Sequence, residues 1–309
     1  MRVITKEQVS ALDLTLADVV SGLRESFLAA RAGEIIWRPK STINQPDGAF
    51  FIGTLACWPV VKTGLFHSIM GTSSANVRPG EPHYTTLQVL SDYQTGRPIA
   101  AIDGTFTSTM LPAGVTALAA ERMADPNATV ATFVGAGVQA RVNLDALLSV
   151  RDIKTVRILG RSRHSTQLFA DYASALGLNV EIAEDPKNAI RNSHIIVSSV
   201  PSSPQFVPFL DPDWVSPGAF VSAVDIGRSW RSGFESFDQR VTDDRLQAEI
   251  QHREGRMNYG GPFDHELADL IDGDQEHRNK DFRSVIIHPG NVVGVLGITM
   301  AIWNKLRGS

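Results

Sequence analysis

The spacing of hydrophobic and polar residues gives the first third of the chain two different patterns. Leu14, Val19, Leu23 and Phe27 recur at helical spacing, which predicts an amphipathic helix before Gly33. Beyond this glycine, short apolar segments separated by turn residues predict β-strands. These segments are "IIWRPKSTIN", "GAFFIGTLACWPVVKTGLFHSIM", "HYTTLQVLSD" and "PIAAIDG". The stretch "DYQTGRP" predicts a hairpin turn, so we expect a mixed sheet with few helices.

From about Pro112 onwards, the pattern changes to alternating strands and helices. The predicted strands are "ATVATFVGAG", "TVRILGRS", "NVEIAED", "HIIVSSVPS" and "GAFVSAVDIG". The predicted helices are "VQARVNLDALLSV", "STQLFADYASALG" and "PKNAIRNS". Such alternation is typical of a doubly wound parallel sheet of the Rossmann type. The predicted fold class is therefore α/β, with this Rossmann-type domain and a second, mixed α+β domain.

Three further segments complete the pattern. The stretch "GVTALAAERMA" at 114–124 predicts a helix that links the two halves. The charge-rich stretch "FESFDQRVTDDRLQAEIQHREG" at 234–255 predicts a solvated helix and loop. The stretch "GNVVGVLGITMAIWNKL" at 290–306 predicts an apolar helix that is too rich in glycine to be a simple surface helix.

Composition and charge narrow the possible classes of protein. The chain has 309 residues, of which 43% are hydrophobic and 20% charged, and it is long enough for two domains. A net charge of −4 argues against a nucleic-acid binder. No apolar window is long enough for a membrane span, and the beginning lacks the pattern of a secretion signal. The single cysteine, Cys57, rules out an internal disulfide. We expect a cytoplasmic protein without a metal site.

The turn after the strand at 129–134 carries a glycine motif with a known physical use. Gly135 allows a sharp turn, Gly137 lets a diphosphate approach the backbone, and Ala140 lets the following helix pack close to the sheet. The N–H groups at the start of the helix, at Val138 and Gln139, then face the phosphates. A tight turn without a ligand is the alternative. The position between a strand and a helix favours a dinucleotide site.

The end of the next strand favours one cofactor over another. A site for NAD usually has an acidic residue here for the ribose hydroxyl, whereas this chain offers Arg161, Ser162 and Arg163. Guanidinium groups bind phosphate through two oxygens at once. We therefore expect NADP(H) rather than NAD(H), with a solvated basic loop as the alternative. Ser199 and Val200, which follow a later strand, are also expected to line the cofactor.

Several motifs together resemble the ornithine cyclodeaminase/mu-crystallin family. They are "LSDYQTGRPIAAIDG", "VTALAAERMA", "TFVGAGVQA", "HIIVSSVPSSP", "WVSPGAFVSAV" and "HELADLIDG". The resemblance implies a homodimer in which residues 1–112 and the helix at 290–309 form a substrate and dimerisation domain. It also implies that residues 113–289 form the Rossmann domain. The shared chemistry of the family is hydride exchange between a nicotinamide and the carbon of a C–N bond.

The substrate-binding residues that the resemblance implies are only partly present. Arg38 matches an early substrate-binding arginine, but Leu111 occupies the position of a second arginine that holds the substrate carboxylate. Phe66 occupies the position of a lysine on a strand, and Lys62 replaces that lysine only if the register of the strand differs. Loss of two cationic groups weakens carboxylate binding by roughly 1.5–3 kcal/mol each, so an ordinary amino acid is a doubtful substrate.

Four residues are candidates for handling a proton, and Lys62 is a further catalytic candidate, with a position at the rim of a strand as the alternative. The family's catalytic aspartate position holds Gly227, and Asp225 lies two residues earlier. Asp225 is the preferred carboxylate, with a role in ending the strand as the alternative. His67, His83 and His288 have the side chain that titrates nearest to neutral pH. For each of them, a structural role is the alternative.

These observations lead to one functional hypothesis and two alternatives. The first is an NADP(H)-dependent reductase of imines or ketimines, which in reverse is an amine or amino-acid dehydrogenase. The second is a cyclodeaminase of the ornithine type with tightly held NAD. The third is a cofactor or small-ligand binder of the crystallin type with little catalysis. The expected partners are a small imine, amine or amino-acid-like substrate and a second copy of the chain, without nucleic acid or membrane.

Overall fold

The computed structural model describes residues 1–73, 76–77, 83–201, 206–273, 279 and 281–308. The chain forms two compact units. Unit 1 comprises Met1–Leu111 and Asn291–Ser309, and unit 2 comprises Pro112–Gly290. None of the described helices has both the length and the apolar character that a membrane crossing requires.

Unit 1 is built on a six-stranded mixed sheet. Its strands are β1 (Arg2–Ile4), β2 (Ile36–Asn44), β3 (Phe50–Trp58), β4 (Thr63–Gly71), β5 (Tyr84–Asp92) and β6 (Pro98–Asp103). The spatial order is β1-β6-β5-β4-β3-β2, with β1 parallel to β6 and the other pairs antiparallel. The predicted mixed sheet and the hairpin turn between β5 and β6 are confirmed. Gly96 supplies the left-handed residue of this turn, with φ +68°.

Two long helices of unit 1 pack against each other, and the second of them lies against the sheet. After the short helix α1 (Lys6–Ser10), α2 (Leu16–Arg31) begins with a capping box between Thr15 and Asp18. The last helix of the chain, numbered α9 (Val292–Gly308), packs against α2. A Cβ on Gly22 would lie 2.8 Å from the carbonyl oxygen of Gly297, so the two backbones approach as closely as glycine allows. This contact explains the high glycine content of the last helix.

Unit 2 is built on an eight-stranded parallel sheet. Its strands are β7 (Val130–Val134), β8 (Thr155–Leu159), β9 (Asn179–Ile182), β10 (Ile195–Ser198), β11 (Phe220–Ala223), β12 (Gln239–Thr242), β13 (His265–Glu266) and β14 (Ser284–Ile287). The spatial order is β13-β12-β14-β11-β10-β7-β8-β9. Chain order therefore reverses between β7 and β10. The carboxyl ends of strands at such a switch point form the usual ligand-binding crevice of an open parallel sheet.

The helices of unit 2 follow the strands as expected. They are α3 (Thr105–Met123), which begins in unit 1, α4 (Val138–Leu148), α5 (Arg163–Ala175), α6 (Pro186–Ile190), α7 (Arg245–Arg253) and α8 (Leu267–Asp272). The predicted doubly wound architecture is confirmed. The last residues of the predicted fourth strand and of the motif "HIIVSSVPSSP", 202–204, lie outside the described residues.

Two predicted segments differ from the structure. The linking helix α3 starts at Thr105, nine residues before the predicted start, and contains Pro112 in its interior. Proline usually ends a helix, and the preceding threonines and serines have low helix propensity. The charge-rich segment 234–255 contains the helix α7, as predicted, but it also contains the buried strand β12, so the prediction of a solvated loop there was wrong. Phe234 and Phe237 in this segment belong to the core of unit 2.

Candidate active site

The turn between β7 and α4 contains two glycines that have different structural roles. Gly135 has φ +106°, and a Cβ there would lie 2.9 Å from the carbonyl oxygen of Ser199. Gly137 has φ −91°, and a Cβ there would meet no atom of the described residues within 4 Å. The fold of unit 2 therefore requires Gly135, whereas Gly137 borders open space. Ala140 is fully buried, which allows α4 to lie close to the sheet.

The polar groups around this open space match a diphosphate. Gly137 is the N-cap of α4, and no described side chain caps the helix, so the amides of Val138 and Gln139 lie at a positive helix terminus. The hydroxyl of Ser199 is buried and has no hydrogen-bond partner among the described residues. A buried hydroxyl without a partner is costly unless a ligand or water completes its hydrogen bonding. These residues fit the phosphate groups of a dinucleotide.

The basic residues after β8 are accessible. Arg161, Ser162 and Arg163 are all exposed. The Ser162 hydroxyl is the N-cap of α5 and accepts a hydrogen bond from the Ser165 amide at 3.4 Å. Among the described residues, Arg161 and Arg163 form no hydrogen bond or ion pair with another side chain. The neighbouring His164 is also exposed and is a further candidate contact for a ligand that the sequence analysis missed.

Asp225 is buried at the same edge of the sheet and already has several donors. It is 3% exposed. The Ser198 hydroxyl donates to Oδ1 at 2.9 Å, the Ser229 hydroxyl donates to Oδ2, and the Val200 amide lies 3.5 Å from Oδ2. Burial raises the pKa of Asp225, while the hydrogen bonds and the charge of Arg228 act in the opposite direction. The carboxyl group thus stabilises the end of β10, and its catalytic role stays a prediction.

His288 follows β14 at the carboxyl edge and is also buried, at 5% exposed. Its Nε2 lies 3.4 Å from the Ser222 hydroxyl, and that hydroxyl lies 2.8 Å from the hydroxyl of Thr116 on α3. Both hydroxyl groups belong to fully buried residues. Sequence analysis did not identify Ser222 or Thr116. A polar residue inside an otherwise apolar buried strand was the available signal for Ser222.

In unit 1, a row of buried polar residues crosses the covered face of the sheet. Thr54, His67 and Gln88 are direct neighbours on β3, β4 and β5. Burial lowers the pKa of His67 to about 4, assisted by the charge of Lys40 and opposed by a backbone hydrogen bond at Leu87. His67 is therefore neutral at physiological pH. Lys40, which the sequence analysis did not identify, is the cation whose charge reaches this row.

Two predicted substrate residues lie outside this row because of strand geometry. Phe66 precedes His67 on β4, so its side chain points to the opposite face, where it is 38% exposed. Arg38 is exposed and its backbone pairs with Leu55, a residue of that same outer face. A register irregularity between Arg38 and Ser41 follows Arg38, and sequence alone does not predict such a bulge.

The other predicted residues of unit 1 take different positions. Lys62 was considered on a strand, but it lies in the left-handed turn after the helical turn Pro59–Val61 and is exposed. Leu111 packs against α9, where its Cδ1 would lie 2.6 Å from a Cβ on Gly294. His83 is exposed just before β5. Of these residues, only His67 belongs to the buried polar row.

An open parallel sheet with a glycine turn and an uncapped helix terminus at its switch point defines a Rossmann-type domain. The sequence profile of the ornithine cyclodeaminase/mu-crystallin family matches residues 3–294. The chain therefore belongs to this family.

Individual relatives are distant in sequence. Alanine dehydrogenase of Archaeoglobus fulgidus is 25% identical over 227 residues, which cover 72% of this chain and 66% of the relative. Delta(1)-pyrroline-2-carboxylate reductase of Bacillus cereus is 24% identical over 249 residues, covering 74% of each chain. The matched segments thus span about two thirds to three quarters of these relatives.

Solved structures confirm the fold over the whole chain. Delta(1)-pyrroline-2-carboxylate reductase of Thermococcus litoralis, in complex with NADH and L-proline, has a TM-score of 0.87 at 20% identity. It covers 100% of this chain, and 98% of its own chain is covered. An archaeal alanine dehydrogenase dimer with bound NAD has a TM-score of 0.86 at 20% identity, with coverage of 100% and 96%.

Proposed function

We propose that the protein is an NADP(H)-dependent oxidoreductase of C–N bonds that reduces an imine or ketimine. Relatives in the same family are reductases of cyclic imino acids and dehydrogenases of amino acids. The observations that carry the proposal are the space at Gly137 and the buried Ser199 hydroxyl next to Gly135, which has no hydrogen-bond partner in the described part of the chain. A nicotinamide cofactor bound there supplies the hydride that an imine carbon accepts.

Different residues of unit 2 bind different parts of this cofactor. The amides of Val138 and Gln139 bind the diphosphate at the start of α4. The buried hydroxyl of Ser199 donates a hydrogen bond to the cofactor, and Val200 lines the binding surface next to it. Arg161 and Arg163 bind the additional phosphate of NADP(H), because β8 ends without the acidic residue that would hold a ribose hydroxyl.

The experiment that tests this proposal is a fluorescence titration with NADPH and with NADH. We expect tighter binding of NADPH, and Arg161→Gln combined with Arg163→Gln weakens it by about 10- to 100-fold while NADH binding stays constant. The matched control is Arg253→Gln, which removes an exposed arginine from α7. Equal affinity of the wild type for both nucleotides contradicts the assignment of NADP(H).

An assay of imine reduction then separates the possible activities. Cyclic imines with and without a carboxylate are offered together with NADPH, and turnover of either type supports the reductase. Release of ammonia from ornithine with NAD would instead support a cyclodeaminase. Nucleotide binding without any turnover would support the crystallin-like binder.

We also propose that the protein forms a homodimer through the uncovered face of the unit 1 sheet. Leu55, Phe66, Met70 and Leu87 point to this face and are between 38% and 57% exposed. Apolar surface of this extent is typical of protein–protein interfaces. Light scattering should give twice the chain mass of 33.6 kDa, and Phe66→Asp should halve it. Leu168→Asp, on the exposed side of α5, is the control. A monomeric wild type contradicts the proposal.

A further inference from the structure

The loop after β11 places an arginine at the carboxyl edge of the unit 2 sheet. The Ile226 amide donates to the carbonyl of Ala223 at 3.1 Å, and the Arg228 amide donates to the carbonyl of Asp225 at 3.2 Å. Gly227 completes this tight turn with φ +77°. Arg228 therefore lies five residues after the end of β11, at the edge where an open parallel sheet binds its ligands.

The guanidinium of Arg228 differs from those of two other arginines in unit 2. Arg157, Arg228 and Arg240 are all partly buried. The Nε of Arg157 donates to Glu181 at 2.8 Å, and Arg240 donates to both carboxylate oxygens of Asp264 at 3.1 Å. Within the described part of the chain, the guanidinium of Arg228 forms neither a hydrogen bond nor an ion pair, and its Nε is buried. The described residues thus leave this cation without a bound anion.

The carboxyl group on the same loop does not serve as that anion. Asp225 accepts hydrogen bonds from the hydroxyl groups of Ser198 and Ser229 instead. Burial lowers the pKa of Arg228, the charge of Asp225 opposes this shift, and the charge of Arg256 assists it. Arginine nevertheless stays a cation at physiological pH. A partly buried cation has lost hydration, so an anionic ligand that binds Arg228 compensates for that loss.

The position of β11 in the sheet separates Arg228 from the proposed diphosphate site. β11 lies beside β10, and β10 lies beside β7, so the ends of β7 and β11 are about 10 Å apart at the usual strand spacing. The diphosphate proposed above lies at the β7 turn, and the adenosine lies towards β8. Arg228 lies on the other side of the switch point, where we expect the nicotinamide and the substrate. An anion at this position belongs to the substrate rather than to the cofactor.

We propose that Arg228 binds the carboxylate of the substrate, so that the preferred imine carries a carboxylate group next to its C=N bond. This inference rests on the proposed function. A guanidinium presents two parallel N–H groups to the two oxygens of a carboxylate, which fixes the orientation of the substrate as well as its position. Arg228 is thus a residue that determines substrate specificity, while the nicotinamide supplies the hydride.

Kinetics with two cyclic imines of equal ring size test this specificity. One carries a carboxylate on the imine carbon and the other a methyl group. Arg228→Gln should raise KM for the carboxylated imine about 10- to 100-fold, and KM for the methyl-substituted imine by less than twofold. Arg228→Lys should recover part of the loss, because lysine keeps the charge but not the planar fork. Equal changes of KM for both imines would overturn the proposal.

The matched control lies on the same loop. Arg231→Gln removes an arginine that already pairs with Asp211 at 3.5 Å, so KM for both imines should stay at the wild-type value. A loss of carboxylate preference in Arg231→Gln equal to that in Arg228→Gln would indicate a general effect of charge and would overturn a specific contact at Arg228.

Nuclear magnetic resonance of the full chain with labelled arginine tests the contact without turnover. The Nε–H signal of Arg228 is assigned by its absence in Arg228→Gln, and the remaining arginine signals show whether this variant is folded. Cyclopentanecarboxylate, added with NADPH present, should shift the Arg228 signal, whereas cyclopentanecarboxamide should not. If Arg228→Gln is not folded, Arg228→Lys provides the assignment. An Arg228 signal that cyclopentanecarboxylate leaves unchanged would overturn the proposal.

The possible failures are distinguishable from one another. NADPH affinity of Arg228→Gln should stay within twofold of the wild type, and a loss of tenfold or more would indicate a cofactor phosphate at Arg228 and overturn the assignment to a substrate carboxylate. A wild type whose Arg228 signal shifts but that reduces neither imine overturns the proposed function and supports the anion site. A wild type that reduces both imines without preference overturns the role of Arg228 alone.

Discussion

The cofactor edge of unit 2 and the covered sheet face of unit 1 depend on sequence in different ways. At the edge, Gly135, Arg161, Ser199 and Asp225 each follow the end of a strand, and parallel strand ends converge whatever the exact register. On the sheet face, a shift of one residue moves a side chain to the opposite side. That difference separates Phe66 from His67. A site built on strand ends is therefore easier to predict than a site built on a sheet face.

The two buried histidines show the same contrast in their electrostatics. His67 lies on the sheet face near Lys40, whose charge disfavours protonation. His288 lies at the edge, where the register places Asp243 beside it. The two buried rings thus lie next to different kinds of charged residue, a lysine in one case and an aspartate in the other. The following predictions test how far the two regions differ.

The largest effect is expected for the two glycines of the β7 turn. Gly135→Ala should destabilise the protein by roughly 2–5 kcal/mol, because an L-residue is strained at positive φ and its Cβ would also clash with the backbone of Ser199. Gly137→Ala should leave stability unchanged but weaken NADPH binding about tenfold or more, since its methyl group occupies the space of a phosphate–amide contact. Urea unfolding and fluorescence titration measure the two quantities.

The glycine pair also contains its own control. The two substitutions add the same methyl group two residues apart, so a general effect on the turn would change both quantities in both variants. Unchanged nucleotide affinity in a stable Gly137→Ala variant would contradict the diphosphate site.

Next in size is the pH dependence that His67 confers on stability. Its folded pKa of about 4 lies below the ordinary value of 6.5, so the unfolded chain binds more protons between these values. Stability should therefore be complete above about pH 6.5 and fall by about 3 kcal/mol as the pH decreases to 4. Urea unfolding of wild type and His67→Gln across this range measures the difference. A variant with the same pH slope would show that other groups cause it.

The smallest effect concerns Ser162, which has two possible roles. As the N-cap of α5, its replacement by alanine should cost about 1 kcal/mol of stability. NADPH affinity should change less than twofold, because the hydroxyl already bonds the Ser165 amide. Thermal unfolding and the same titration as for the arginines provide the values. A strong loss of NADPH affinity at constant stability would indicate instead that the Ser162 hydroxyl binds the additional phosphate.

Most of the architecture could be predicted from the sequence, and the exceptions have physical reasons. Apolar periodicity identified the sheets of both units, because each strand buries a regular face. The start of α3 was missed since Pro112 imitates a helix boundary. Strand β12 was missed since charged residues surround its few buried ones. The family resemblance was confirmed, while the roles of the individual site residues stay predictions.

Predictions for the substrate side were limited by details that local sequence does not encode. The register of β2 is irregular between Arg38 and Ser41, and Lys40 within this stretch is the cation whose charge reaches His67. The proximity of Ser222 to Thr116 joins residues 106 positions apart. Contacts between residues so far apart in sequence can be identified only once the position of α3 against the sheet is known.

The return of α9 to unit 1 has a consequence for how the chain acquires its structure during synthesis. Gly294 and Gly297 contact α2, yet the ribosome makes them only after all of unit 2. Unit 2 is a continuous stretch and can complete its core first, as domains commonly do on the ribosome. Until α9 has been synthesised, the apolar surfaces of the helix α2 and of the sheet in the first 111 residues stay exposed. We expect these first 111 residues to be the part of the nascent protein that depends most on chaperones.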